Sequence, residues 1–456
     1  MIGLQHRVFR AKYRLWNRKA IEYHGWLEAT QYLPRERLDA INLAKRQALV
    51  AHAYETVPFY RKSFDAHSFH PRDLTSDADW ERVPLLTKAD LRNHFDDLVS
   101  SASRPGDLKL SATGGSTGTP LKTYQDKRYP MAALGWRVLG WWGVLPSADV
   151  AYVYRLVRES TLSRFLNAVY WWPTGRIWLD ASQMTAASIE AFIGKYKRMR
   201  PGLVQGYVGA VVHLARHVEK SGTRLPPPRA VWVTASPISE VDRRVVERAF
   251  GAPVFDQYGC GEMFWIAAEC DRHDGLHVFA DARHVEIIDG DGKPCPSEVE
   301  GRVVITDLEN FAFPIIRYQI DDWAALRSGV CQCGRTLPLM SAVKGRMTDL
   351  LMLPDGAGIS GDYLTTIFDE SPDLAQAFQV YQYADMSMTL SVVPHPSISA
   401  DNARLAAVVE ALKKKTRGQV PIRLALVESI PHDRGKLLYV ISEVGRAGGS
   451  GQGRKA

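Results

Sequence analysis

The sequence predicts an α/β (mixed α+β) fold: a large N-terminal domain of β-sheets and packed helices, followed by a small, separate C-terminal α/β domain. Three observations lead there. At 456 residues the chain is longer than one hydrophobic core ordinarily organises, so more than one folding unit is expected. Between 107 and 330, short β-rich runs alternate with helical stretches, the pattern of helices packed on sheets. Around Gly345-Arg346 the character changes, which sets the expected domains at 1–345 and 346–445, with a tail at 446–456.

Residues 1–100 read as helical with polar connectors. ERLDAINLAKRQALVAHAYETV places apolar residues at helical spacing, and TKADLRNHFDDL offers a Thr N-cap with an acidic first turn. AVWVTA, GRVVITDL and HVEIID read as strands, and ISEVDRRVVERAF as an amphipathic helix. Beyond the boundary come a strand (QVYQYADMSMTLSVVP), a helix (ARLAAVVEALKKKTRG) and a second strand (IRLALVESI). The tail RAGGSGQGRKA is Gly-rich and charged, so disorder is expected there.

A hydrophobic content of 46% with 23% charged residues lies in the range of soluble globular proteins and argues against global disorder. No uninterrupted apolar run is long enough to span a bilayer. The segment MIGLQHRVFRAKYRLWNRKA lacks the compact apolar stretch of a secretory signal, so the expected address is the cytoplasm. Much of the net charge of +7 sits at the ends, in Arg7, Arg10, Lys12, Arg14, Arg18 and Lys19, and in Arg454 and Lys455. The first group interleaves with Val8, Phe9, Tyr13, Leu15 and Trp16. It reads either as a solvated helix face or as a weak contact for an anionic membrane surface. No interleaved basic and aromatic nucleic-acid motif is present, so nucleic acid is not an expected partner.

The strongest local signal is Ser111-Ala112-Thr113-Gly114-Gly115-Ser116-Thr117-Gly118-Thr119-Pro120. Glycines and hydroxyl residues so dense make a loop whose N–H and O–H groups can wrap phosphate oxygens; it is not a Walker A loop. This run resembles the phosphate-binding loop of the acyl-adenylate-forming superfamily, and later segments match that superfamily in order. Phe255-Asp256-Gln257-Tyr258-Gly259-Cys260-Gly261-Glu262 resembles its Tyr-Gly-x-x-Glu motif. Thr306-Asp307-Leu308, then Pro314-Ile315-Ile316-Arg317-Tyr318-Gln319-Ile320-Asp321-Asp322, resembles the segment that ends in a ribose-binding Asp. Gly345-Arg346-Met347-Thr348-Asp349 resembles the hinge motif, and Asp433-Arg434-Gly435-Lys436 the lysine motif. The likeness is to the phenylacetate–CoA ligase and CapK-like branch.

The resemblance implies a division of labour. Thr113, Gly114, Gly115, Ser116, Thr117 and Gly118 would hold the β- and γ-phosphates of ATP, and Glu262 would bind Mg²⁺, a hard cation suited to carboxylate oxygens. Tyr258 and Gly259 would line the adenine and acyl pockets, Asp322 would hold the ribose, and Arg346 would contact ribose or phosphate. Lys436 would bridge carboxylate and α-phosphate from the mobile C-terminal domain, with Thr348 and Asp349 at the hinge. The chain departs from the pattern twice. It has Asp321-Asp322 where the family usually has Gly-Asp, leaving either carboxylate for the ribose, and Thr234-Ala235-Ser236-Pro237 where relatives of this branch commonly carry a Glu.

Five cysteines in a chain with no export signal do not read as a disulfide framework. Cys270, His277, Cys331 and Cys333 suit a closed, structural tetrahedral Zn²⁺ site, the alternative being free thiols with solvated histidines. His277 is preferred to His273 because it begins a strand that would fix its direction; Cys260 and Cys295 are not assigned to metal. Trp136, Trp141 and Trp142, with Tyr170, Trp171 and Trp172, shape either an acyl pocket or the core. The expected reaction is ATP-dependent activation of a carboxylic acid to an acyl-adenylate with release of pyrophosphate, then transfer to coenzyme A. The CapK-like alternative passes the acyl or adenylyl group to a carrier protein, an amine or a sugar.

Overall fold

The computed structural model describes residues 3–112, 121–154, 156, 161–181, 184–343, 350–354, 358–360, 366–368, 374–395, 403–430 and 440–444. The chain divides into two compact units that no single cut separates: 1–148 with 165–175 and 255–343, and 149–164 with 176–254 and 344–456. One joint, 343/344, lies beside the boundary expected from the sequence.

The first unit opens with helices Leu4–Trp16, Arg18–Thr30, Arg35–Thr56 and Pro58–Ala66, as the spacing of apolar residues requires. Helix Lys88–Asn93 begins at the expected cap: the Thr87 side chain accepts from Asp90 N while Asp90 closes a capping box. Helices Arg35–Thr56, Pro58–Ala66 and Lys88–Asn93 share a core with an antiparallel sheet of strands Arg283–Ile288, Gly301–Asp307 and Tyr318–Ala324. A second antiparallel run joins Val254–Tyr258, Ala267–Glu269, Leu276–Val278, Leu339–Met340 and Leu326–Arg327 in that spatial order. Two buried ion pairs lie in this unit, the second between directly opposite residues of the antiparallel sheet. Arg137 meets Asp281 at 2.5 Å, and Arg283 meets Asp307 at 2.6 Å.

The second unit carries four parallel strands in the order Arg176–Asp180, Val150–Tyr154, Leu203–Tyr207, Ala230–Thr234. Ala230–Thr234 is buried at every position, as a parallel strand covered on both faces must be. Helices Ala186–Met199, Val208–Lys220 and Glu240–Phe250 contribute to its core. Glu240–Phe250 is capped by Ser239, whose side chain accepts from Asp242 N, and ends at Gly251 with φ 64°. The C-terminal stretch has a separate core around helix Ala403–Lys415 and a sheet ordered Ile422–Leu426, Met388–Pro394, Ala375–Gln382, Val440–Ser442.

One element differs from the sequence reading. QVYQYADMSMTLSVVP is not one strand but the body of a hairpin, Ala375–Gln382 against Met388–Pro394. The chain reverses because the Asp385 carboxylate accepts from Ser387 N at 2.9 Å, and Met386 takes φ 68°. The alternation of apolar residues continues through the turn, which is why it reads as unbroken.

Candidate active site and metal centre

Strand Val254–Tyr258 runs into a tight turn that only glycine permits. A Cβ on Gly259 would lie 1.7 Å from the Phe264 carbonyl oxygen and 2.7 Å from Gln257 Nε2. The turn is held by Cys260 N donating to Met263 O at 3.1 Å and Met263 N donating to Cys260 O at 3.2 Å. Gln257 Nε2 adds bonds to Tyr258 O and Phe264 O. It thereby fixes Glu262, which is buried.

Facing this turn is strand Tyr318–Ala324, and the two are joined by reciprocal tyrosine–carboxylate hydrogen bonds. Tyr258 donates its hydroxyl to Asp322 Oδ2 at 2.8 Å, and Tyr318 donates to Glu262 Oε1 at 3.1 Å. Burial, then the charge of Asp322, pushes the Tyr258 phenol well up, so it remains a donor. Burial, then Glu262, likewise keeps the Cys260 thiol protonated. Ser111 Oγ donates to Gly261 O at 2.9 Å, tying the paired strands Leu108–Ala112 and Lys122–Asp126 to the Glu262 turn. Asp322 is the carboxylate that Tyr258 engages; the Asp321 side chain lies outside the described residues.

The thiol and imidazole donors converge elsewhere in the same unit. One ligand atom each from Cys270, His277, Cys331 and Cys333 lies within 4.8 Å of every other. Cys270 Sγ and Cys331 Sγ are 3.6 Å apart, and Cys333 Sγ is 3.3 Å from His277 Nε2. With metal–sulfur bonds of about 2.3 Å, a tetrahedral site has edges of about 3.8 Å, so these spacings fit one ion. His277 Nδ1 lies 3.3 Å from the Leu337 carbonyl, which can only accept. Nδ1 therefore carries the hydrogen, leaving the Nε2 lone pair toward the thiols, the usual arrangement of a metal-binding histidine. Burial pushes the Cys270 thiol up to about 12 and the His277 imidazole down to about 4, so without an ion Cys270 and His277 would be neutral. His273 is engaged otherwise, 3.2 Å from Glu269 Oε2 and stacked on Phe255.

No family model matches the chain. It is 26% identical over 429 residues to phenylacetate-coenzyme A ligase of Thermus thermophilus, covering 86% of this chain and 92% of that one. It is 22% identical over 283 residues to protein CapK of Staphylococcus aureus, covering 59% of each. Its fold matches 2-hydroxyisobutyryl-CoA ligase, solved in the postadenylation state with R3-HIB-AMP, at a TM-score of 0.75, with 22% identity and 91% of both chains covered. Over most of its length the chain is thus similar in sequence to phenylacetate-coenzyme A ligases, and it shares the fold of 2-hydroxyisobutyryl-CoA ligase.

Of the superfamily positions expected from the sequence, Tyr258, Gly259, Glu262 and Asp322 come together in one unit. Thr113, Gly114, Gly115, Ser116, Thr117, Gly118, Arg346, Thr348, Asp349 and Lys436 lie outside the described residues. Three supporting groups were not expected: Tyr318, Gln257 and Ser111. Tyr318 stood inside a quoted motif, but nothing in a linear sequence marks it as the partner of Glu262.

Trp136, Trp141 and Trp142 are buried; Trp141 Nε1 donates to Gln31 and Trp142 Nε1 to Glu269 O. Trp141 also lies edge-on to His277, 5.5 Å between ring centres. Tyr170 and Trp172 are exposed.

Proposed function

We propose that this protein is an AMP-forming acid–thiol ligase, which activates a carboxylic acid with ATP and passes the acyl group to coenzyme A. The observation that carries the reading is the pair of reciprocal tyrosine–carboxylate bonds, which presents Asp322 and Glu262 as fixed acceptors beside one glycine turn. In the first half-reaction a carboxylate oxygen attacks the α-phosphorus, the bond to the β-phosphate oxygen breaks, and pyrophosphate leaves. In the second, the thiol sulfur attacks the acyl carbon, AMP leaves, and the thiol proton passes to solvent. Asp322 accepts from the ribose hydroxyls, with Tyr258 holding the carboxylate in place. Thr113 to Gly118 supply N–H and O–H donors to the β- and γ-phosphates. Arg346 adds a cation at ribose or phosphate. Lys436 brings a mobile positive charge to the carboxylate and α-phosphate, and the C-terminal domain (346–445) swings on Thr348 and Asp349 between half-reactions. Glu262, oriented by Tyr318, would hold Mg²⁺, which would supply positive charge to offset that of the triphosphate.

Cys270, His277, Cys331 and Cys333 would hold a structural Zn²⁺. The support is their spacing and the Leu337 bond, and the ion would pin the loop 328–338 to strand Leu276–Val278. The protein works in the cytoplasm, a reading supported by five free cysteines. A CapK-like acceptor other than coenzyme A is the second reading, favoured by the match to CapK. Pyrophosphate release measured across a panel of carboxylic acids, with coenzyme A or hydroxylamine as acceptor, separates the two. Thioester formation supports the ligase; turnover with hydroxylamine but never with coenzyme A supports the second.

A further inference from the structure

The basic first helix meets a second apolar helix, and together they form a surface that neither would present alone. On helix Leu4–Trp16, the positions His6, Phe9 and Tyr13 face inward, and Phe9 and Tyr13 pack on Trp136. Leu4, Val8, Ala11 and Leu15 follow one another at helical spacing on the opposite side, with Leu15 82% exposed. Arg7, Arg10 and Arg14 flank that stripe and have no ion-pair partner among the described residues.

Lys12 joins this helix to the end of helix Thr161–Trp171. Its Nζ donates to Trp172 O at 2.7 Å, to Val169 O at 3.3 Å and to Tyr170 O. The same ammonium sits 5.0 Å from the Trp16 ring centre and 5.6 Å from that of Tyr170, so both rings belong to one surface. The second helix adds Phe165 at 66% exposure and Trp172 at 59%, beside Leu166 and Val169. Neither helix contains an acidic residue.

We infer that this two-helix face docks on an anionic lipid bilayer surface, with aromatic and aliphatic side chains in the interface and Arg7, Arg10 and Arg14 on the phosphates. Aromatic rings beside an unpaired cationic row suit the headgroup boundary, where an amphipathic helix lies flat. A second copy is a poor occupant, because a twofold interface would set the arginine rows against each other. Nucleic acid gives the aliphatic side chains nothing to bury against. The face stands apart from the adenylation reading. No described helix is long and apolar enough to cross a membrane, so contact would be peripheral.

The test is co-sedimentation of the full chain with vesicles of phosphatidylcholine alone and of phosphatidylcholine mixed with phosphatidylglycerol. Binding is expected only to the mixed vesicles, weakening as salt rises. Brominated lipid is expected to quench part of the wild-type tryptophan emission, a readout that needs no variant. Leu15→Glu with Trp172→Glu is expected to weaken binding about tenfold or more while acid activation is unchanged. Arg7→Glu with Arg14→Glu is expected to abolish the preference for anionic lipid. Equal binding to both vesicle types, no binding, or wild-type binding by both double variants would overturn the proposal. So would a dimer dissolved by Leu15→Glu, or heparin binding that matches vesicle binding and survives Leu15→Glu with Trp172→Glu.

Discussion

Asp322 and Glu262 each accept a phenolic hydrogen bond from the other's element, and each bond restrains a carboxylate proposed to face a ligand. A hydrogen bond to a charged group contributes about 1.5–3 kcal/mol, so losing one is measurable without unfolding the protein. Asp322→Ala is expected to raise KM for ATP about tenfold or more, with a smaller effect on KM for the acid. Tyr318→Phe is expected to raise the Mg²⁺ concentration needed for half-maximal rate while leaving the acid KM unchanged. Steady-state kinetics with ATP, acid and Mg²⁺ varied in turn check both. Gly259→Ala meets backbone rather than a movable side chain, so activity is expected to fall below detection. Circular dichroism would show whether the fold survives. At this scale the sequence was only partly legible: Tyr258, Gly259, Glu262 and Asp322 could be placed by resemblance. Their partners Tyr318 and Ser111 could not, because a contact across strands far apart in sequence leaves no local pattern.

At the scale of elements, the four donors of the proposed metal centre are carried by a strand and two loops that share little other structure. Cys331 and Cys333 flank a turn closed by Gly334 N donating to Cys331 O, with Gly334 at φ 83°. Cys270 begins another turn, closed by His273 N donating to Cys270 O. Arg272 N donates to Cys270 Sγ at 3.4 Å and Leu337 O holds His277 Nδ1, while one ligand atom from each of the four residues lies within 4.8 Å of every other. Metal analysis of the purified protein is expected to return about one Zn²⁺ per chain, and Cys333→Ser about none, with a lowered melting temperature. The cluster was legible because Cys-x-Cys and Cys with a downstream His are short-range signals. The preference for His277 followed from strand direction; its Nε2 lies 3.3 Å from Cys333 Sγ, whereas His273 lies beside Glu269. The C-terminal hairpin was misread for the opposite reason: a polar turn without Gly or Pro left the alternation of its strands looking continuous.

At the scale of the molecule, the proposed reaction assigns its mobile cation to Lys436. Helices on sheets were legible from the alternation of patterns, whereas the interleaving of 165–175 with the first unit was not, since it depends on tertiary contacts alone. Lys436→Ala is expected to slow adenylation by orders of magnitude while leaving thioester formation from preformed acyl-adenylate largely intact. Equal loss in both half-reactions would remove Lys436 from the role assigned to it. The central claim is tested most directly by isotope exchange between pyrophosphate and ATP, measured with a panel of carboxylic acids and no acceptor. Exchange that appears only when a particular acid is present is the predicted result. A folded, ATP-binding protein that supports no exchange with any acid, or exchanges equally without one, would contradict it.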